Sequence, residues 1–271
     1  GWQPTSLLSL TDNMEDSKTA WLRPMQIYMC EICNHVYNSS YDPLVVDYSG
    51  VGCRMWNNGT DWTKHVKEQQ QRLSMMSCEM FLEIGAGDCT FLDGIKTDAV
   101  KMAVDPCEAV ERAAEFGIAY KRAPFSVDML PREEVSALSC VIFLSTFTVL
   151  FEFLREIADA ALERDSNTYL FVEVPCIDHA LERVRIEDWT YEHPHHFTSV
   201  SFVRAQQLAG FQVLEASRGY GDEVLTSIAL ANSLETINPY EVAEGFDKMQ
   251  FNLARAGGKL ADKLDKVAFW G

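Results

Sequence analysis

The stretch Phe81-Leu-Glu-Ile-Gly-Ala-Gly-Asp-Cys-Thr-Phe-Leu92 reads as a short apolar strand, a glycine turn and the start of a helix. Glycines at 85 and 87 let the backbone turn sharply and let a ligand come close to it. The first amides of the following helix are free donors. Such a loop serves dinucleotides as well, so its neighbours must decide. Thr90 stands where the dinucleotide fingerprint has its third glycine, and Glu83 places a carboxylate at the entry of the turn. That carboxylate repels a pyrophosphate but suits a cofactor bearing an ammonium and a sulfonium. Asp105 ends the next apolar run, Met102-Ala-Val-Asp-Pro106, where an acid accepts hydrogen bonds from both hydroxyls of a ribose. The predicted cofactor-binding residues are Glu83, Gly85, Ala86, Gly87, Asp105 and Pro106. Phe125 and Ser126 join them beside an adenine, with a helix cap by Ser126 or Asp128 as the equal alternative, and Ser145 at the end of the fourth strand. The plainer alternative is that the glycines only turn the chain and Asp105 caps a helix opened by Pro106. The strand–loop–helix context and the paired acid outweigh it.

Two other groups have ligand-like spacing. Cys30-Glu-Ile-Cys33 is one half of a four-thiolate zinc site, and Cys53 can replace one missing ligand but not two. Zinc is therefore expected only if another cysteine pair lies upstream, and the chain is expected to hold none tightly. His193-Pro-His195-His196 has no accompanying carboxylate pattern and reads as a surface or substrate-facing segment rather than a metal site.

Positioning these residues needs a scaffold. From Met80 onward, runs rich in Val, Ile, Phe and Leu alternate with helical patterns, the signature of parallel strands and crossover helices. Strands are predicted at 80–84, 100–104, 118–122, 140–145 and 169–174, with helices at 107–116 and 149–162. A helix at 202–209 and two strands at 211–216 and 224–230, with Gly219 and Gly221 between them, complete the series. The fold class is α/β, a Rossmann-like seven-stranded sheet of the methyltransferase type whose last strand inserts antiparallel. A small irregular N-terminal module occupies 1–75, the sheet domain 76–235, and a C-terminal helical segment 236–271. The N-terminal module is expected to lie over the ligand-binding end as a lid.

The balance of 40 acidic against 23 basic residues, net −17, repels polyanions, which argues against nucleic acid or an anionic membrane as partner. No apolar stretch reaches the length of a membrane helix, and the N-terminus lacks the pattern of a secretory signal. Eight scattered cysteines read as reduced thiols of a cytoplasmic protein.

Three segments make the pattern more specific: Cys30–Asn38 followed by Tyr41-Asp-Pro, then Val172-Glu-Val-Pro175, then Trp189-Thr-Tyr-Glu-His-Pro-His-His-Phe-Thr198. In this order around the glycine loop, the chain resembles the S-adenosylmethionine (SAM)-dependent C-methyltransferases of deoxysugar nucleotides. The resemblance implies SAM as cofactor, a zinc-binding cysteine module, and a small keto-bearing substrate methylated through an enolate. It implies His193 as base, Tyr191 as donor to the enolate oxygen, and Glu192 as a residue orienting the imidazole or binding a sugar hydroxyl. Two departures accompany it. The family's His-x-x-Glu-His stretch after the fourth strand is replaced by Ser145-Thr-Phe-Thr-Val-Leu-Phe151, and the second cysteine pair is absent. Together with the final Lys266-Val-Ala-Phe-Trp-Gly271, which reads as a new strand, this suggests part of a longer polypeptide. An O- or N-methyltransferase on a small metabolite or carrier-bound intermediate is the rival within the class. A nicotinamide oxidoreductase fits the glycine loop but not Glu83, Thr90 or the strand pair. A non-catalytic SAM-binding scaffold is the rival outside enzymes.

Overall fold

Short strands with apolar residues at every position must be covered on both faces, and parallel pairing with crossover helices supplies that cover. The computed structural model of the chain describes residues 2–4, 22–45, 59–130, 139–144, 150–163, 167–185, 188–191 and 193–231. Its main sheet has seven strands in the order β11-β12-β9-β8-β5-β6-β7. They are β5 (Met80–Ile84), β6 (Val100–Asp105), β7 (Ala119–Arg122), β8 (Ser139–Leu144), β9 (Thr168–Pro175), β11 (Phe211–Gly219) and β12 (Val224–Ala231). Strands β9, β8, β5, β6 and β7 run parallel, while β12 pairs antiparallel with both β9 and β11. The chain leaves β5 toward β6 and β7, then returns to β8 on the other side of β5. Strand order therefore reverses between β5 and β8, and the crevice at their carboxyl ends is where an open α/β sheet takes its ligand.

The two faces divide the strand residues by alternation. Leu82, Ile84, Leu170, Val172 and Val174 face α3 (Leu150–Glu163) and α5 (Ser199–Leu208), meeting Leu154, Ile157, Ala158 and Phe202. Phe81, Ala103 and Phe171 face the opposite side, against Leu73 of α1 (Thr60–Ser74) and Phe91 and Leu92 of α2 (Thr90–Gly94). The predicted helix at 107–116 is a tighter 3-10 segment, Glu108–Phe116, ended by Gly117 at φ 69°. Helix α5 begins earlier than its apolar pattern, because Thr198 and Ser201 form a reciprocal capping box.

Helix α1, which lies within the segment 1–75, packs on the sheet. Arg72 pairs with Glu215 of β11 at 2.7 Å, and Leu73 is in the core. The described strands of the N-terminal module are a short pair, β1 (Trp2–Pro4) with β2 (Leu22–Pro24), and a hairpin of β3 (Ile27–Met29) and β4 (Val36–Asn38). The hairpin is extended by a strand from far along the chain, β10 (His195–His196), which pairs with β4. Met25 and Val36 bury against Ile177, Ala180 and Leu181 of α4 (Ile177–Arg183) and against Trp189. Since α4 follows β9, the module sits at the carboxyl end of the sheet. The C-terminal segment 236–271 lies outside the described residues. No helix among the described residues is long and apolar enough to cross a membrane.

One buried acid joins three of these elements. Asp178 of α4 is fully buried, and its Oδ2 accepts from the Ser199 amide (2.7 Å), the Ser199 hydroxyl (2.6 Å) and the Arg218 guanidinium (3.0 Å). Removing it leaves the guanidinium only its longer contact with the more exposed Glu182, at 3.5 Å. Asp178→Ala should lower unfolding free energy by about 3 kcal/mol, read as a shift in denaturant midpoint. The double variant with Arg218→Met should recover part of that loss; full additivity would show that the pair is not coupled.

Candidate functional site

The glycine turn forms at the end of β5 because two residues adopt conformations closed to most side chains: Gly85 at φ 73° and Gly87 at φ 52°. The Gly85 amide donates to Val104 O at 2.8 Å, which docks the turn against the end of β6. The Asp105 carboxylate then clasps both loops. Its Oδ2 accepts from the Gly87 amide at 2.9 Å, and its Oδ1 from the Cys107 amide at 2.7 Å. These bonds use two of roughly four lone-pair positions on the carboxylate, so capacity remains for ligand hydroxyls. Burial raises the Asp105 pKa, and the Gly87 and Cys107 amides pull it partly back. Pro106 sits in the turn that Asp105 closes, and the helical segment beyond is capped by the Cys107 thiol, which accepts from Ala109 N.

Glu83 lies on the α2 side of β5, completely buried, with neither carboxylate oxygen hydrogen-bonded among the described residues. Burial pushes its pKa up to about 8, and the nearby Asp88 and Asp105 charges add to the rise. The turn is therefore ringed by three acids. Asp88 is answered by Arg112 at 3.0 Å; Glu83 has no such partner. Ala86 is buried at the same turn. Phe125, expected beside an adenine, is partly buried and packs edge-on against Phe153 of α3 with centroids 5.5 Å apart. Ser126 precedes a 3-10 turn, Val127–Met129, without a side-chain cap. Ser145, like Glu192 and Cys53, lies outside the described residues.

The segment carrying Tyr191 and His193 reaches the same end of the sheet. Phe197 O accepts from Ile177 N at 2.9 Å just after β9, and Thr198 Oγ1 donates to Asn34 O at 3.3 Å in the module. Tyr191 is buried and its hydroxyl is committed: it accepts from Asp42 N at 2.9 Å and donates to Ser40 O at 3.1 Å. Its one proton goes to a backbone carbonyl, so this arrangement makes Tyr191 an anchor of the module rather than a donor to an enolate. The His193 ring makes no hydrogen bond among the described residues, and burial pushes its pKa down to about 4. His196, buried with Nε2 unpartnered, falls to about 3 through burial and then the neighbouring His193, His35 and His195. His35 Nε2 and His195 Nδ1 share a hydrogen bond at 2.9 Å.

Cys30 and Cys33 form a knuckle between β3 and β4, with Asn34 at φ 56° donating to Cys30 O. The Cys33 and Ile32 amides lower the Cys30 thiol, whereas burial raises that of Cys33. Among the described residues no group of three or more metal-ligating side chains comes together.

One pair escaped the sequence reading. His65 of α1 and Glu173 of β9 are both buried, with Nε2 and Oε2 at 2.7 Å. A carboxylate inside an otherwise apolar strand, near its carboxyl end, was the signal available; its partner more than a hundred residues upstream was not.

No protein-family model matches the chain, and no curated protein matches it. Among solved structures it is similar to the N-methyltransferase NodS from Bradyrhizobium japonicum WM9, with 11% identity and a TM-score of 0.47 over 65% of this chain and 99% of that one. Human N-acetylserotonin methyltransferase, in complex with SAM, gives 11% identity and a TM-score of 0.44 over 64% of this chain and 52% of that one. The Burkholderia thailandensis 1,6-didemethyltoxoflavin-N1-methyltransferase gives 14% and 0.44 over 64% and 81%.

The isolated position of Glu83 has a consequence for stability. Its pKa in the folded chain, about 8, lies above the ordinary value of 4.5, so the folded state holds the proton more tightly. Stability therefore falls as pH rises from 4.5 through 8, since the ionised form must be buried. Glu83→Gln should melt at the same temperature as the wild type near pH 4 and higher than it at pH 8.5. Equal melting temperatures at both pH values would show that Glu83 is already compensated.

Proposed function

We propose that this chain is a SAM-dependent methyltransferase acting on a small-molecule acceptor. The observation that carries this reading is the acid pair around the positive-φ glycine turn at the strand-order reversal: Asp105, clasping both loops with capacity to spare, and Glu83, buried without a counter-charge. A cofactor with ribose hydroxyls and two positive centres matches that set. When bound, SAM supplies an electrophilic methyl group on a positively charged sulfur. The chain's own residues do the rest. Asp105 would accept from the ribose, the Gly85–Gly87 backbone would take the amino-acid end, and Glu83 would balance the ammonium. An ammonium over the loop lowers the Glu83 pKa, so a proton leaves as the cofactor binds near neutral pH.

The net charge of −17 turns polyanionic acceptors away, and the proposal puts a small acceptor at the carboxyl end of β9, next to the N-terminal module that packs there. The specific form of the proposal is methylation of a carbon beside a carbonyl, as in a nucleotide-linked keto-deoxysugar. A base removes the α-proton, and the enolate carbon attacks the methyl group. His193, which burial keeps neutral throughout the physiological range, is the residue proposed for this task. Its low basicity also favours a second reading, O- or N-methylation, in which a hydroxyl or amine is already nucleophilic and asks less of the base.

Calorimetry with SAM tests the cofactor site. Asp105→Ala should cost roughly 2 kcal/mol of affinity, and unchanged affinity would remove Asp105 from the site. With a 4-keto-deoxysugar nucleotide as acceptor, His193→Ala should slow transfer by about 10²–10⁴-fold if His193 is the base. The wild-type rate should then lose its acid limb near pH 4 rather than near 6.5, following the depressed imidazole. Near-normal turnover in the alanine variant would make His193 a binding residue.

A further inference from the structure

Among the histidines for which the structure gives a side-chain partner, His65 is the one joined to a carboxylate. Its Nε2 meets Glu173 Oε2 at 2.7 Å, with both side chains less than a tenth exposed. Glu173 lies on the sheet face that also carries Phe171 and, two strands away, Glu83. Register places Glu173 opposite Leu144, one same-face step nearer the carboxyl end than Glu83, which aligns with Ile142 and Phe171. The pair thus stands at the ligand end of the sheet. Trp62 and Tyr220 wall the imidazole, with ring centroids 5.5 and 6.1 Å from it. The turn between β11 and β12 leaves room for it: a Cβ on Gly219 would sit 2.8 Å from His65 Cε1 and 3.2 Å from Nδ1. No side chain longer than hydrogen fits there without moving the ring.

A neutral imidazole facing an ionised carboxylate carries its proton on Nε2. A carboxylate accepting from Nε2–H leaves the lone pair on Nδ1, at the far side of the ring, beside Gly219 and the inter-strand turn. Among the described residues Nδ1 has no hydrogen-bond partner. A mechanical clamp between α1 and β9 does not call for such a pair, since well-packed apolar residues hold buried elements at least as firmly. A base does call for it, because the carboxylate orients the imidazole and steadies the imidazolium that forms. His193 has no carboxylate partner among the described residues.

We infer that His65 is the proton acceptor on the acceptor side of the site, with Glu173 as its positioning residue. The inference rests on the methyltransferase reading and changes which histidine takes the proton. The acceptor's C–H, O–H or N–H bond breaks, its proton goes to Nδ1, and its electron pair forms the bond to the methyl carbon. The methyl–sulfur bond breaks with its pair to sulfur, and Nε2–H stays on Glu173.

The property that separates a base from a clamp is a reachable, nucleophilic Nδ1, and diethyl pyrocarbonate reads it without any acceptor. Peptide mapping of the folded wild-type chain after brief treatment should find the carbethoxyl group on His65. Glu173→Gln should slow labelling at His65 by about tenfold or more while leaving labelling of the partly exposed His195 unchanged. Labelling of His65 only after denaturation would overturn the inference, and that result needs no variant to fold. A glutamine variant that folds, by its SAM calorimetry, and labels His65 at the wild-type rate would overturn the role of Glu173. SAM calorimetry on the same wild-type sample keeps the two readings apart. Binding without labelling leaves the methyltransferase and removes the dyad, whereas labelling without binding removes the methyltransferase and leaves a reactive histidine.

Discussion

A parallel sheet covered on both faces has no solvated surface, so a polar side chain on an inner strand needs a local reason to be there. In this chain the buried carboxylates of the strands gather at one end. Glu83 and Glu173 lie on the α1–α2 face of β5 and β9, and Asp105 ends β6. All three are buried. Each costs desolvation, and each is answered differently: Asp105 by two backbone amides, Glu173 by an imidazole, Glu83 by no hydrogen bond among the described residues. The residue left without compensation is the one whose burial a cationic ligand would offset. The electrostatics of the site therefore follow from the architecture that excludes water everywhere else.

The same constraint explains the shape of the chain beyond β9. Strand β9 ends at Pro175, and the chain beyond it must cover the sheet end while satisfying its own backbone. It does so by donating β10 to the small N-terminal hairpin, so that segments far apart in the sequence share one three-stranded sheet. Tyr191 is absorbed in this joint, its hydroxyl bridging the backbone at Ser40 and Asp42. A residue whose type suits oxyanion chemistry thus serves as a structural bolt, because a buried phenol must first satisfy its own hydrogen bonds.

Helix α1 has a comparable double role. It belongs by sequence to the N-terminal region, yet its Leu73 lies in the same core as Phe81 and Phe171, and its Arg72 pairs with Glu215. Its first turns carry Trp62 and His65 to the carboxyl end of β9, so one helix both seals a sheet face and delivers polar chemistry to the ligand end.

Sequence by itself determined the elements whose signal is local. Alternating apolar runs placed the strands of the sheet to within a residue or two at most ends, and the glycines at 85 and 87 marked the turn at which the strand order reverses. These features depend on neighbours a few residues apart, which periodicity and turn chemistry record. Tertiary structure alone decided the rest. The seating of α1 on the sheet was one such feature, because an amphipathic helix carries no mark of which surface it covers. Tyr191 lost its expected role because its partners lie about a hundred and fifty residues away in a loop without pattern. His65 and Glu173, 108 positions apart, met only because α1 crosses β9 where it does. A hydrogen bond between distant residues leaves no periodic trace in either, so only the folded chain shows it.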